Sequence, residues 1–305
     1  MKTIDLSGRV AIVTGAGGGL GRSHALMLAS RGAKVVVNDI GADRSGNGSS
    51  PAAAAVVEEI RSAGGTAVAS TANIVDFAQV ERMVGEALSA WGQVDILVNN
   101  AGILRDRTFA NLSIEDFRAV LDVHVMGTVH CTKAVWPHMR SRAYGRIVMT
   151  SSSSGLYGNF GQSAYGAAKM AVVGLMNTLH LEGQKYDIRV NCLAPTAATR
   201  MTADIMTEEM LAMITPASVS PGLLALVDED APSRMILCAG AGAFEAAHVT
   251  MTRGQFIGNA EDAPERVLAN LDRIADRTGE MLPAHGLQQS EHEISLLREA
   301  AGALA

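Results

Sequence analysis

Cysteine is scarce in this chain: Cys131, Cys192 and Cys238 are the only three among 305 residues. They are odd in number and far apart, which excludes a disulfide framework and a zinc-ligand spacing, so free buried thiols in a reducing, cytoplasmic setting are expected. Positive charge is also short. A formal net charge of −6 leaves no basic surface for phosphate backbones, so nucleic acid is excluded as a partner. No apolar run approaches the roughly 18 residues that a membrane span needs. The N-terminus lacks the charged stretch and apolar core of a secretory signal. His24, His130, His138, His180 and His248 have no metal-type partner at i+4 or in a Cys/His cluster, so no metal is expected. Aromatics make up only 4% of the chain while 48% is apolar, with Ala, Val and Gly supplying much of the bulk. That composition suits closely packed helices on a parallel sheet.

What is present alternates between strand-like and helix-like segments. Arg9–Thr14 is a short apolar run that leads into Gly15-Ala16-Gly17-Gly18-Gly19-Leu20-Gly21 and then into an apolar helix-like stretch through Ala29. A strand, a glycine turn and a helix make a phosphate cradle, because glycine lets backbone approach the pyrophosphate and the helix start offers unpaired N–H groups. Gly15, Gly19, Leu20 and Gly21 are its candidate contacts. The next strand, Lys34–Asn38, ends at Asp39, eighteen residues beyond Gly21. An acid there accepts hydrogen bonds from the adenosine ribose and repels a 2′-phosphate, which favours NAD over NADP. Gly41–Pro51 is a loop. Helices are expected over Ala52–Ala63, Phe77–Trp91, Ile114–Arg140 and Tyr165–Tyr186. Further strands are expected at Ala67–Ala72, Val94–Val98, Arg146–Thr150 and Arg189–Leu193, with a closing strand near Phe244–Thr252. The pattern predicts an α/β fold: one Rossmann-type doubly wound parallel sheet with helices on both faces. Ligands of such sheets bind outside the carboxyl ends of the strands. Asn73, Ile74, Asn100, Ser152 and the loop after Pro195 all fall there.

Tyr165 and Lys169 are four residues apart, thirteen residues after Ser152. A helix puts positions i and i+4 on one face, so a phenol and an ammonium would lie side by side. A neighbouring cation favours the phenolate, whose reference pKa is about 10. Alone, Ser152 would read as part of a serine-rich loop, and a Tyr/Lys pair as surface neighbours.

The set Thr14-Gly15-x-x-x-Gly19-x-Gly21, Asn99-Asn100-Ala101-Gly102, Ser152 and Tyr165-x-x-x-Lys169 resembles the short-chain dehydrogenase/reductase family over roughly residues 5 to 254. Segments such as Gly102–Arg107 and Gly155–Gln162 resemble its (3R)-hydroxyacyl-CoA dehydrogenase branch, here as a free-standing unit without hydratase or sterol-carrier domains. The resemblance implies Tyr165 as general base or acid, Lys169 as the group that lowers its pKa and binds the nicotinamide ribose, and Ser152 as the group that holds the substrate oxygen. It also implies an NAD cofactor, an apolar or acyl-CoA substrate, and a homodimer or homotetramer. Ala198 and Thr199 would reach the cofactor's carboxamide, although Thr196 stands where the family has glycine, so which hydroxyl serves stays open. His124 occupies a position where the family has asparagine. It is either a titrating member of the proton path or a satisfied core histidine.

Residues 1–254 are expected to form the catalytic domain and 255–305 a helical extension, packed on the same subunit or a neighbour, with helices at Pro264–Arg277 and Glu291–Ala303. Met201, Met206, Met210 and Met213 are candidates for a flexible cover over an apolar substrate. A hydroxysteroid or other bulky secondary alcohol is the competing substrate class. An NAD-binding protein without chemistry is the competing function, and the presence of both Tyr165 and Lys169 counts against it.

Overall fold

The computed structural model describes residues 3–43, 46, 50–198 and 207–302. Short apolar runs become the inner strands. Every residue of β1 (Val10–Thr14) is buried, as are all but the first of β2 (Lys34–Asn38), the signature of strands covered on both faces. The others are β3 (Thr66–Ser70), β4 (Ile96–Asn99), β5 (Gly145–Thr150), β6 (Ile188–Thr196), β7 (Ile236–Gly240) and β8 (Ala243–Ala247). Their spatial order is β3-β2-β1-β4-β5-β6-β7-β8. Pairing is parallel from β3 through to β7, with Val13 opposite Val37 on one side and Val98 on the other. The order reverses between β1 and β4, and that switch point opens a crevice at the carboxyl ends of the strands. This is the expected Rossmann-type fold.

The sheet closes differently from expectation. β7 precedes the glycine turn, and β8 ends at Ala247 rather than Thr252. Ala241 and Gly242 connect the two with φ of +51° and +80°. Two left-handed residues make a tight hairpin, so β8 doubles back as the edge strand.

Helices α1 (Gly19–Ser30), α2 (Ala52–Ser62) and α3 (Phe77–Trp91) follow the sequence pattern. Asp76 caps α3 by accepting from the Gln79 N–H at 3.2 Å. The single helix expected over Ile114–Arg140 is in fact two, α4 (Ile114–Leu121) and α5 (Gly127–Arg142), joined by a π turn at Asp122–Met126. The wider turn closes with the Gly127 N–H donating to the Asp122 carbonyl. Gly127 has to be small here, because a Cβ would lie 2.5 Å from Ile74 Cδ1. The turn carries His124 into the interior, 2% exposed. Directly after β5 comes a short helix α6 (Ser153–Tyr157), capped by Ser152, which accepts from the Ser154 N–H. Next come α7 (Ser163–Gly183), which holds Tyr165 and Lys169, then α8 (Glu208–Met213) and α9 (Ser220–Val227). His24 on α1 is 2.8 Å from the hydroxyl of Ser220 on α9, and both side chains are fully buried.

The chain divides into two compact units, Met1–Ala246 and Ala247–Ala305. The second contains α10 (Ala263–Ala269), α11 (Leu271–Ile274) and α12 (Leu287–Gly302). The one helix expected over Pro264–Arg277 breaks at Asn270, whose amide donates to the Arg266 carbonyl at 2.7 Å. Among the described residues, no helix is long and apolar enough to cross a membrane.

Candidate active site

A cleft of about 620 Å³ lies over the switch point. Gly15, Gly19, Leu20, Gly21, Asp39, Asn73, Ile74, Asn100, His124, Ser152, Tyr165 and Lys169 all line it. These residues are up to 154 positions apart (15 to 169), and the carboxyl ends of β1, β2, β4 and β5 bring them together.

The nucleotide end is built on glycines. Gly15 takes φ of +63°. A Cβ on Gly21 would sit 2.2 Å from the Gly15 carbonyl oxygen and 2.5 Å from Asn100 Nδ2. Helix α1 starts at Gly19, and its N-cap, Gly18, supplies no side-chain cap. Its first amides are thus free of a side-chain cap and face the cleft, which fits a pyrophosphate. Asn100 clamps this turn, donating to the carbonyls of Thr14 at 2.9 Å and Gly15 at 3.1 Å. Thr14 is a member of the site that the sequence reading quoted without assigning it a role. Its Oγ1 accepts from the N–H groups of Asn100 and Ala101, at 3.0 and 3.1 Å. The Asp39 carboxylate accepts from the Gly17 N–H at 2.8 Å and the Gly41 N–H at 2.7 Å, which fixes it at the end of β2.

At the other end, Lys169 Nζ donates to the Thr150 carbonyl at 2.6 Å and lies 5.5 Å from the centre of the Tyr165 ring. The Ser152 side chain lies beside the phenol, where it acts to lower the phenol's pKa. The resemblance implies a phenol lowered by Lys169, but the geometry gives the reverse. Burial pushes the Tyr165 phenol up to about 12, against the opposing hydrogen bond from Ser152, with the Asp106 charge adding to the rise. Burial likewise pushes Lys169 down to about 7. A lysine that sheds its proton near neutrality is only partly cationic there.

His124 stands edge-on to Tyr165, with ring centres 5.2 Å apart and an interplanar angle of 87°. Its Nε2 is 3.1 Å from the Ile103 nitrogen and 2.8 Å from the Ile103 oxygen, while Nδ1 is buried without a protein partner. Burial pushes its pKa down to about 3. The imidazole is therefore neutral across the physiological range, an environment that suits a positioning group and not a titrating one. His24, equally buried, is also pushed to about 3. Both fall below the unfolded value of about 6.5. The unfolded chain thus binds more protons between pH 6.5 and 3, and the stability conferred by the neutral rings is full above 6.5 and lost as pH falls. We expect unfolding free energy from urea melts to drop by about 1.4 kcal/mol per pH unit for each histidine below pH 6.5. His124→Asn should reduce the slope by about 1.4 kcal/mol per pH unit; an unchanged slope would count against a neutral buried ring.

Of the two contacts expected at the carboxamide, only Ala198 lies among the described residues. Ala198 does not line the cleft; its N–H donates to the Ile214 carbonyl at 2.6 Å, which turns it towards the segment behind. Pro195, Thr196 and Ala197 line the cleft instead. Thr199, Arg200, Met201 and Met206 lie outside the described residues. Met210 and Met213 are exposed and do not line the cleft. The substrate side adds Ile103, Leu104, Arg105, Ala119, Val123, Asn159 and Gln162. Of these, Ile103, Leu104, Arg105, Asn159 and Gln162 fall in the two segments Gly102–Arg107 and Gly155–Gln162 that carried the branch resemblance. The described residues hold no metal-type cluster of His, Cys, Asp and Glu.

Comparison with known proteins agrees with this geometry. Residues 9–210 match the family described as short chain dehydrogenase. A short-chain type dehydrogenase/reductase of Mycobacterium tuberculosis is 51% identical over 236 residues, 77% of this chain and 82% of the relative. Peroxisomal multifunctional enzyme type 2 of Drosophila melanogaster is 47% identical over 259 residues, which is 84% of this chain but 43% of that protein. Its full-length structure superposes with a TM-score of 0.80 and 35% identity, over 97% of this chain and 50% of that one. A 7α-hydroxysteroid dehydrogenase complexed with NADH and 7-oxo glycochenodeoxycholic acid gives a TM-score of 0.70 at 32% identity, covering 78% of this chain and 95% of that one. This chain thus covers 43–50% of the length of the multifunctional relative.

Proposed function

The chain belongs to the short-chain dehydrogenase family and is an oxidoreductase, and on that premise we propose that it oxidises a secondary alcohol with NAD, its substrate being a (3R)-3-hydroxyacyl-CoA. The observation that carries this reading is the convergence of Ser152, Tyr165, Lys169 and Asp39 on one cleft. When bound, the nicotinamide supplies the hydride acceptor at C4, or the donor in the reverse reaction. Gly15, Gly19, Leu20 and Gly21 would hold the pyrophosphate, Asp39 the adenosine ribose, and Asn73 and Ile74 would lie beside the adenine.

The chain's own work is proton transfer and positioning. Ser152 Oγ donates to the substrate oxygen and steadies the charge growing on it. Tyr165 Oη takes the hydroxyl proton in oxidation and returns it in reduction. Lys169 Nζ, partly cationic near neutrality, would lend its charge to the proton transfer and would hold the nicotinamide ribose. His124 keeps the phenol ring in place between the Ile103 backbone and α7. Of the candidate basic residues for a CoA phosphate, Arg105 lines the cleft and pairs with Asp116 at 3.0 Å.

The names of the multifunctional relatives and the branch-specific segments support the acyl-CoA reading. The apolar lining of Ile103, Leu104, Ala119 and Val123 favours a second reading, a hydroxysteroid or similarly bulky alcohol. NADH formation across a hydroxyacyl-CoA panel and a steroid-alcohol panel separates the two; no turnover of any acyl-CoA ends the first. We place the protein in the cytoplasm on the strength of its free thiols, as a homodimer or homotetramer.

Asp39→Ala tests the choice of cofactor. We expect the NAD-over-NADP preference in kcat/KM to fall by roughly 100-fold, since a carboxylate facing a phosphate costs several kcal/mol. A preference that survives the substitution would assign selectivity elsewhere.

A further inference from the structure

Ile74 stands between the two ends of the cleft. It lines the nucleotide end and is 7% exposed. Its side chain lies directly on Gly127, where an added Cβ would sit 2.5 Å from Ile74 Cδ1 and 2.8 Å from Cγ1. Its carbonyl accepts from His130 Nδ1, on α5, at 2.9 Å. Backbone and side chain thus both tie Ile74 to the first turns of α5. Gly127 in turn closes the π turn, its N–H donating to the Asp122 carbonyl. Thr128 Oγ1 holds the same turn by donating to the His124 carbonyl at 2.8 Å. The His124 ring is wedged between Gly102, where a Cβ would lie 2.3 Å from its Cε1, and the Tyr165 ring. A packed path therefore runs from Ile74 through Gly127 and the π turn to the phenol.

An α-helix turns by about 100° per residue. A π turn holds one residue more than an α turn, so the segment has two discrete arrangements. In the one observed, His124 docks on the Ile103 backbone and stands against Tyr165. Passing the extra residue along the helix would rotate His124 away from both. The Ile74 side chain, seated on Gly127, fits the observed arrangement.

We infer that Ile74 is a positioning residue that couples the nucleotide end of the cleft to the acid–base end: an adenine seated against Ile74 presses it onto Gly127, holds the π turn in register and keeps His124 and Tyr165 in place for proton transfer. This rests on the NAD-dependent alcohol reading given above. The adenylate half of the cofactor then does more than tether the nicotinamide. Supplied as a separate molecule, it should activate the nicotinamide half, and the coupling is reciprocal.

Two measurements with AMP as the probe test this. In the first, fluorotyrosine is incorporated and the phenols are followed by fluorine NMR, with Tyr165→Phe identifying the resonance. AMP binding, confirmed by calorimetry, should move the Tyr165 resonance; in Ile74→Ala saturating AMP should leave it still, and in Ile74→Val the movement should persist. In the second, nicotinamide mononucleotide replaces NAD, and the alcohol is a 3-hydroxyacyl thioester of N-acetylcysteamine, which brings no adenine of its own. The C3 hydride passes to C4 of the nicotinamide and the hydroxyl proton to Tyr165, leaving the 3-oxo thioester and reduced mononucleotide. AMP should raise kcat/KM about tenfold in the unmodified protein and less than about twofold in Ile74→Ala. A residue that only supported the fold would lower both rates and leave that factor alone. Gly127→Ala crowds the same contact from the other side and should abolish activation too. Combined with Ile74→Ala it should restore most of it, because the new methyl then meets Ile74 Cβ at an ordinary 3.5 Å. AMP that does not bind, a resonance it does not move, or a response that is the same in Ile74→Ala overturns the inference. A resonance that responds to AMP through Ile74, in a protein that turns over no alcohol even with NAD, overturns the alcohol reading and upholds the coupling.

Discussion

Tyr165→Phe is expected to lower kcat/KM for alcohol oxidation by about 10²–10⁴-fold, the range that positioned acid–base groups supply, while leaving the NAD dissociation constant within a factor of about two of its starting value. The substitution removes one oxygen and keeps the ring. The edge-on contact with His124 and the packing against Ile103 and Val120 stay intact. What disappears is the phenol oxygen proposed to exchange a proton with the substrate oxygen beside Ser152. Cofactor affinity is held at the other end of the cleft by the glycine turn and Asp39, so it should be indifferent. Steady-state kinetics and calorimetric NAD titration check the two halves separately. Turnover retained by the phenylalanine variant would point to a different acid or base, and turnover lost together with NAD binding would point to misfolding.

Gly21→Ala should produce the opposite division. An added methyl would meet the Gly15 carbonyl oxygen at 2.2 Å and Asn100 Nδ2 at 2.5 Å. Both are part of the turn that carries the phosphate cradle, and the carbonyl is backbone that cannot swing aside. Helix α1 must therefore retreat from the turn. We expect a stability loss of about 1–3 kcal/mol from overpacking and a weakening of NAD binding of at least about 100-fold, roughly 3 kcal/mol. Thermal melts and NAD titration measure the two effects. The same change at Gly174, inside α7, where an added Cβ meets nothing within 4 Å, is the control: it should leave NAD affinity unchanged and raise stability by up to about 1 kcal/mol. Normal NAD affinity in the Gly21 variant would mean that the pyrophosphate does not rest on this turn.

The positions of the two ends of this cleft were legible in the sequence because they depend on local rules. A strand, a glycine turn and a helix in register give a cradle wherever they occur, and a four-residue offset on α7 puts Tyr165 and Lys169 on one face. The alternation of segments fixed the parallel sheet for the same reason. The pKa of the phenol was not legible. Spacing places a cation near it, but burial, which spacing does not reveal, acts on both groups and drives them in opposite directions. The break in the helix at Asp122–Met126 was hidden too, since a π turn keeps the apolar periodicity of its flanks and differs only in a hydrogen bond one residue longer. His124 gave the one hint, as a departure from an expected asparagine. The hydrogen bonds of Gln162 with Asp106, Ser154 and Asn159 join residues up to 56 positions apart (106 to 162) through polar side chains that show no periodicity. Only the folded loops bring them together.

Hydride movement in this cleft is tested most directly with a (3R)-3-hydroxyacyl-CoA carrying deuterium at C3, incubated with the protein and NAD. The expected products are the 3-oxoacyl-CoA and reduced cofactor bearing the deuterium at C4 of the nicotinamide, as seen by mass spectrometry and proton NMR. Reduced cofactor without the label, or none formed at all, would contradict the assignment of Ser152, Tyr165 and Lys169 to alcohol oxidation of this substrate.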